Sequence, residues 1–287
     1  MESGEIIGLA AFAAAMAVLV SASISDWKKR EVSDIHWAVL GIFGLALFII
    51  YSMNITGFRW EYICLAAGTI LILIDMLWEK EINPFLLYFL TALLFIVPIY
   101  PNLSEDIFIA WASIPLCYIV YLGMYLSGIL RGGADVKCLM AVTIAFPVYP
   151  EFFGLPLIDI PEGVISRIFV CSVSILFVAA IFSLSTAAYS AARNAKDGKI
   201  SRKMFSSYEM GISEAEGAHV WPVEDIVDGK KEKIKVPEEE EMKGIYTRLR
   251  EAGCEKMRVT PMIPFIVPIT AAAAAVILIG NPLFLIF

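Results

Sequence analysis

Stretches of about twenty apolar residues recur along this chain, and a helix of that length matches the hydrocarbon core of a bilayer. Such runs lie at 5–25, 35–53, 60–78, 84–100, 107–127, 136–150, 163–191 and 262–285. With 59% hydrophobic and only 18% charged residues, the chain lacks the polar surface that a soluble globule of 287 residues needs. The expected fold is an all-α polytopic membrane protein of about eight transmembrane helices. The sixth run is short and passes into the Pro-rich but still apolar Phe146–Pro161, so a tilted or broken element is expected there.

One polar block interrupts this pattern. Residues 193–260 carry 28 of the 51 charged residues, 14 basic and 14 acidic. The expected organisation is therefore a membrane core over 1–192, a small cytoplasmic α+β insert over 193–260, and a final transmembrane helix over 261–287. A net charge of −7 and a formally neutral polar block imply no nucleic-acid partner. The first run is expected to remain in the mature protein, because Met1–Glu5 carries two acids and no Lys or Arg, and the run ends in Asp-Trp-Lys-Lys-Arg.

Placing the N- and C-termini outside puts Lys28, Lys29, Arg30, Lys80, Arg131, Lys137 and the polar block on the cytoplasmic side, leaving Arg59 and Arg167 outside. The short loops alone divide 6 basic residues to 2, so an even span number gives this orientation.

Within the block, Asp228-Gly229 is a hairpin turn signal between Ala218–Val227 and Lys231–Val236. Glu238–Ala252 reads as a helix with acids at its start, Arg248 and Arg250 near its end, and Gly253 as its stop. Beyond it, the prolines at 261, 264 and 268 are expected to delay a regular helix until after Pro268. Cys64, Cys117, Cys138 and Cys171 lie in apolar stretches and Cys254 in the block, without CxxC or CxxH spacing, and read as packed thiols. His36 and His219 have no ligand spacing. Neither a metal nor a cofactor is expected.

Ionisable groups within spans are costly and ask for a reason. Asp26 closes the first span, Asp75 lies near the end of the third, and Asp135 opens the sixth. In the orientation above all three lie near the cytoplasmic face. Two neighbouring carboxyls at low dielectric share a proton, which supplies a base to activate water and an acid to protonate a carbonyl oxygen. That is aspartic-protease chemistry. Gly132-Gly133 before Asp135 permits close backbone approach. The bland readings are an N-cap for Asp135, an interfacial anchor for Asp26, an N-cap of the second span for Asp34, an interface anchor for Lys137 and an interhelical polar contact for Asp75.

The segment Asp26-Trp-Lys-Lys-Arg-Glu-Val-Ser-Asp34 after a first span, with Gly132-Gly133-Ala134-Asp135-Val136-Lys137, resembles the type IV prepilin peptidase family. More closely it is similar to archaeal preflagellin (pre-archaellin) and prepilin peptidases, which are GxGD-type intramembrane aspartic proteases; Thr260-Pro-Met-Ile-Pro264 also resembles a segment of those enzymes. The resemblance implies Asp26 and Asp135 as the catalytic pair, with Gly132, Gly133, Ala134, Lys137 and Asp34 supporting the motifs and Asp75 as a possible third carboxylate. Ala134 stands where the motif has its second glycine. The aspartates are 109 positions apart, which implies an extra helix pair between the motifs.

The implied substrate is an archaellin or pilin-like precursor, cut between its basic leader and its hydrophobic helix at the cytoplasmic face. Glu238–Glu241 are then either a solvated helix start or a surface that attracts the leader. A proton- or ion-coupled transporter also uses intramembrane carboxylates. Acids clustered near one face and the absence of a repeated pair of interrupted spans weigh against it. The Pro-Ala-Leu motif expected of a presenilin-like protease is absent after Asp135.

Overall fold

A computed structural model describes residues 3–78, 83–130, 132–161, 163, 170–196, 198, 205–235, 237, 239–262 and 264–286. Lys80, Arg131, Arg167 and Glu238 lie outside the described residues, as does 164–169 of the seventh run. The chain is mostly helical, with a small sheet region near its C-terminal end. It divides into two compact units, one formed by 1–180 and 264–287, the other by 181–263.

The first unit holds α1 (Ser3–Lys29), α2 (Ile35–Thr56), α3 (Glu61–Leu77), α4 (Pro84–Ile99), α5 (Asp106–Leu126), α6 (Gly133–Ala145), the start of α7 (Cys171–Lys196), and a helix before the C-terminus at Ile266–Leu278. Each expected apolar run thus carries a helix. Among the described residues, α1, α2, α4 with its one-turn extension to Asn102, α5 and α7 are long and apolar enough to cross a bilayer. The others are shorter: α3 has 17 residues, and α6 and the last helix have 13 each, rises of about 25 and 20 Å.

The shortness of α6 follows from its position. Val136 and Cys138–Ala145 are all buried, as expected of a helix that is apolar all round. It packs against α1, α2, α3, α5 and the last helix. Gly44 of α2 makes the closest approach, since a Cβ there would lie 2.5 Å from the Ala145 Cα. Asp34 and Lys137 meet at one end of the α2–α6 pair and Gly44 and Ala145 further along, so the two helices run parallel. After Ala145 the chain is irregular through Pro161, matching the expected broken sixth element. Irregular backbone at membrane depth is tolerated where protein or a cavity covers it. Here the Leu157 and Ile158 N–H groups donate to the Leu278 and Ile279 carbonyls, and Phe146–Glu151 line a cavity of about 250 Å³ with Gly4, Glu5, Gly8 and Tyr51.

In the second unit the strands are β1 (Tyr208–Gly211), β2 (Val220–Pro222), β3 (Glu224–Val227), β4 (Lys230–Lys233) and β5 (Lys256–Pro261), with α8 (Ile212–Glu216) and α9 (Glu239–Glu251) between them; the last helix, Ile266–Leu278, is α10. The strand β5 is central, antiparallel to β1 with Tyr208 opposite Val259, and to β2 with Trp221 opposite Thr260. The expected hairpin forms as β3–β4, with Asp228 and Gly229 both at positive φ, 50° and 73°. The segment Ala218–Val227 before the turn divides at Val223 between two sheets, β2 in one and β3 in the other. Met242, Ile245, Tyr246 and Leu249 recur at helical spacing and bury one face of α9 against Met210, Val220 and Val259. Gly253 ends that helix at φ 74°, where a side chain would be strained.

The boundary between the units falls inside α7, near residue 180, while the charged block begins at 193; α7 continues and gives Asn194 to the Ser207 carbonyl and Arg193 to the Tyr208 ring. One expectation is corrected: α10 begins at Ile266, before Pro268. A proline in the first turn removes an N–H that has no intrahelical acceptor, so it does not delay the helix.

Asp225 anchors α9 to the hairpin. It is buried and accepts from Arg248 Nε at 3.0 Å and Nη2 at 2.6 Å. These bonds hold its carboxyl below the usual carboxylate range against the opposing effect of burial. A depressed folded-state value stabilises above the unfolded value of about 3.9 and is lost as pH falls through the folded one. Amide-exchange protection of β3, β4 and α9 in the full-length protein is therefore expected to hold from pH 7 to about 4 and to fall below it. Arg248→Met should lower protection at pH 7 by a factor equivalent to about 1 kcal/mol, with little difference from wild type once pH has fallen below the folded-state value.

Candidate active site

The site is assembled at the end of the first unit where α1 stops. A polar seam fastens α1 antiparallel to α10: the Ser23 and Thr270 hydroxyls lie 2.7 Å apart, and Thr270 donates to the Ile266 carbonyl at 2.9 Å. One turn further along, Asp26 is buried and its Oδ2 accepts the Ile266 N–H at 3.3 Å. Ile266 is the first residue of α10, so Asp26 satisfies one of that helix's unpaired N-terminal donors. It is not a surface anchor.

Asp135 enters from the other side of the fold, on the first turn of the buried α6. Gly132 precedes that helix in extended conformation, directly beneath the Asp135 carboxylate. The helix boundary itself is occupied by Gly132, so Asp135 is not an N-cap. A Cβ on Gly132 would lie 2.5 Å from Asp135 Oδ2, so the glycine is required by the way the carboxylate folds back over it. At Gly133 the surroundings are open, with the Tyr125 hydroxyl 4.0 Å from an added Cβ. Ala134 packs on the core beside them.

Asp26 and Asp135 interact electrostatically, and the thiol of Cys138, one turn after Asp135, feels both. A third charged group joins them. Arg30 follows the end of α1 at φ 59°, its N–H bonded to the Asp26 carbonyl at 3.0 Å, and its guanidinium interacts with the Asp26 carboxylate. The turn that carries it is held by Ser25 Oγ donating to the Glu31 carbonyl at 2.8 Å and by His36 Nδ1 donating to the Ser33 carbonyl at 3.0 Å. Arg30 enters the sequence argument only as a charge that sets orientation. Its signal is its spacing, four residues after Asp26, where the chain turns out of α1 and back toward that carboxylate.

The remaining motif residues lie around this pair in other roles. Asp34 makes no cap bond to α2; its carboxylate receives Lys137 Nζ at 2.6 and 2.7 Å. Lys137 is thus an ion-pair partner rather than an interface anchor, and the pair ties the start of α2 to α6. Asp75 is apart from Asp26 and Asp135 and accepts from the Tyr118 hydroxyl of α5 and, at 3.4 Å, from Tyr88 of α4. Among the described residues no cluster of three His, Cys, Asp or Glu side chains is arranged to hold a metal. On the outer surface, a groove of about 450 Å³ runs between α1 and α10, lined by Val20, Ser23, Ile24, Trp27, Ala271 and Ala274. It passes the turn of α1 that bears Asp26.

In this geometry Gly132→Ala is expected to leave the helices in place and rotate the Asp135 carboxylate off Gly132, a displacement that a structure of the variant would show. An unmoved carboxylate would remove the reason given for the glycine. No family model matches the chain, and no curated protein matches it.

Proposed function

We propose that this chain is an intramembrane aspartic endopeptidase that removes the basic leader from archaellin or type IV pilin-like precursors at the cytoplasmic membrane face. The observation that carries this reading is that Asp26 at the end of α1 and Asp135 on the first turn of α6, 109 positions apart in sequence, lie within electrostatic reach of one another. Their motif context supports it as well, since Gly132 and Asp135 are mutually fitted.

In this reading eight helices cross the membrane, with both termini outside and 193–260 cytoplasmic. The positive-inside distribution supports that orientation, and the same rule keeps a basic leader on the cytoplasmic side. The precursor's scissile bond then lies at the depth of the two aspartates, with its apolar helix at the α1–α10 groove. One carboxylate, ionised, takes a proton from water as the oxygen bonds to the scissile carbonyl carbon. The other, protonated, gives its proton to the carbonyl oxygen. Collapse of the resulting diol breaks the C–N bond, and the leaving nitrogen takes a proton from the pair. Asp26 retains Oδ1 for this work while Oδ2 bonds Ile266. Asp75, engaged by two tyrosines, takes no part.

Purified protein incubated with candidate precursors, with mass spectrometry of the products, tests this. Asp26→Asn and Asp135→Asn should each lower cleavage by at least about 10³-fold while the protein still inserts, and Asp75→Asn should cleave within about twofold of wild type. Wild-type-like processing by either dyad variant sinks the assignment. Ion flux in proteoliposomes that depends on Asp75, without peptide cleavage, would replace it by transport.

A further inference from the structure

We propose that Arg30 is a substrate-binding residue of this site, its guanidinium donating to backbone carbonyl oxygens of the extended peptide beside the scissile bond. The inference rests on the peptidase reading above and deepens it.

Two observations carry it. Arg30 Nε and Nη1 are both shielded from solvent and, among the described residues, have no hydrogen-bond partner. Buried donors are almost always paired, and an unpaired pair on one charged group costs free energy that a merely structural residue would not retain. The backbone adds to that cost, because φ 59° lies in the left-handed region that side chains other than Gly, Asn and Asp rarely adopt. Neither cost arises from a wandering loop. The turn is fixed by the Arg30 N–H to Asp26, by Ser25 to Glu31, by His36 to Ser33 and by Lys137 to Asp34.

The acceptors within the site do not meet this demand. Asp26 attracts Arg30 through space, but its recorded hydrogen bond is with the Ile266 N–H. Asp135 is folded back over Gly132, and Asp34 is bonded to Lys137. Two guanidinium nitrogens, Nε with one N–H and Nη1 with two, therefore remain without a hydrogen-bond partner among the described residues beside the carboxylates. An extended peptide entering the site brings carbonyl oxygens that have lost their water, and a planar guanidinium offers them donors in fixed directions. A lysine in the same place keeps the charge but not donors on two edges of a rigid plane.

The test compares wild type, Arg30→Gln and Arg30→Lys as full-length proteins in lipid nanodiscs, measuring kcat and KM on a peptide that runs from a basic leader into the apolar segment, and thermal midpoints alongside. Arg30→Gln should lose about 10- to 100-fold in kcat/KM while its midpoint equals or exceeds that of wild type, because two shielded nitrogens without a hydrogen-bond partner have been removed. Arg30→Lys should also fall at least tenfold, with an unchanged pH profile because the positive charge beside Asp26 is kept. Wild-type activity in Arg30→Lys overturns the proposal in favour of charge alone. A lowered midpoint in Arg30→Gln with unchanged activity per folded molecule overturns it in favour of a structural role. If Arg30→Gln does not fold, the lysine variant's activity decides. Absence of cleavage by the wild type overturns the peptidase reading itself, and this one with it.

Discussion

A helix that begins within or near hydrocarbon has N–H groups that water cannot reach, and each must find an acceptor inside the protein. At α10 that acceptor is Asp26 of α1. The bond is long and modest by itself, but it joins residues 240 positions apart and fixes where the last helix starts relative to the first. Ser23 and Thr270 repeat the fastening one turn deeper. A carboxylate held in this way has a defined position and retains a second oxygen. The same residue can therefore close the fold and take part in proton transfer.

The partner carboxylate is placed by packing rather than by a cap. α6 has no polar face to orient it, and its direction and depth come from its neighbours. Gly44 lets α2 lie against Ala145 at backbone contact, and Lys137 meets Asp34 at the other end of the same parallel pair. The ion pair is partly exposed, so it contributes at most about 1 kcal/mol. Its effect is on register: sliding α6 by one turn along α2 would separate Lys137 from Asp34 and drive Ala145 off the Gly44 hollow. Asp135, on the first turn of α6, inherits that register. After its 13 residues α6 gives way to the irregular Phe146–Pro161, of which Phe146–Glu151 line a cavity and Leu157 and Ile158 bond the end of α10.

Much of this is legible in the residues themselves. Apolar runs locate the helices because hydrocarbon demands internal backbone pairing. The Asp228-Gly229 turn and the amphipathic spacing of α9 are local signals with local causes, so they survive folding unchanged. Pairwise contacts are less legible. Lys137 and Asp34 each sit beside motif residues, and nothing in their spacing shows that they pair across 103 positions. Asp75 is at a depth suited to the site, yet the tyrosines that hold it come from two other helices. The start of α10 is misread for a different reason: prolines at 261 and 264 belong to strand and loop, while Pro268 occupies the one helical turn that has no need of its N–H.

Comparison of the acids shows where chemistry is physically possible. Asp225 is consumed by Arg248, Asp34 by Lys137, and Asp75 by two tyrosine hydroxyls. Each is engaged by neighbours that hold the fold together, Asp34 and Asp225 through both carboxylate oxygens and Asp75 through two donors on Oδ2. Asp26 accepts one backbone N–H, Asp26 and Asp135 repel one another when both are ionised, and they lie with an arginine whose Nε and Nη1 have no hydrogen-bond partner among the described residues. A folded chain reduces such spare capacity wherever it serves no purpose, since unsatisfied polar groups away from water are among the costliest features it can keep. The left-handed backbone at Arg30 and the Gly132 hollow under Asp135 lie in the same place. Unspent hydrogen-bonding capacity, electrostatic repulsion and backbone strain thus coincide at one end of the helical unit, and bringing in a peptide with its own unpaired carbonyls relieves the first of these directly.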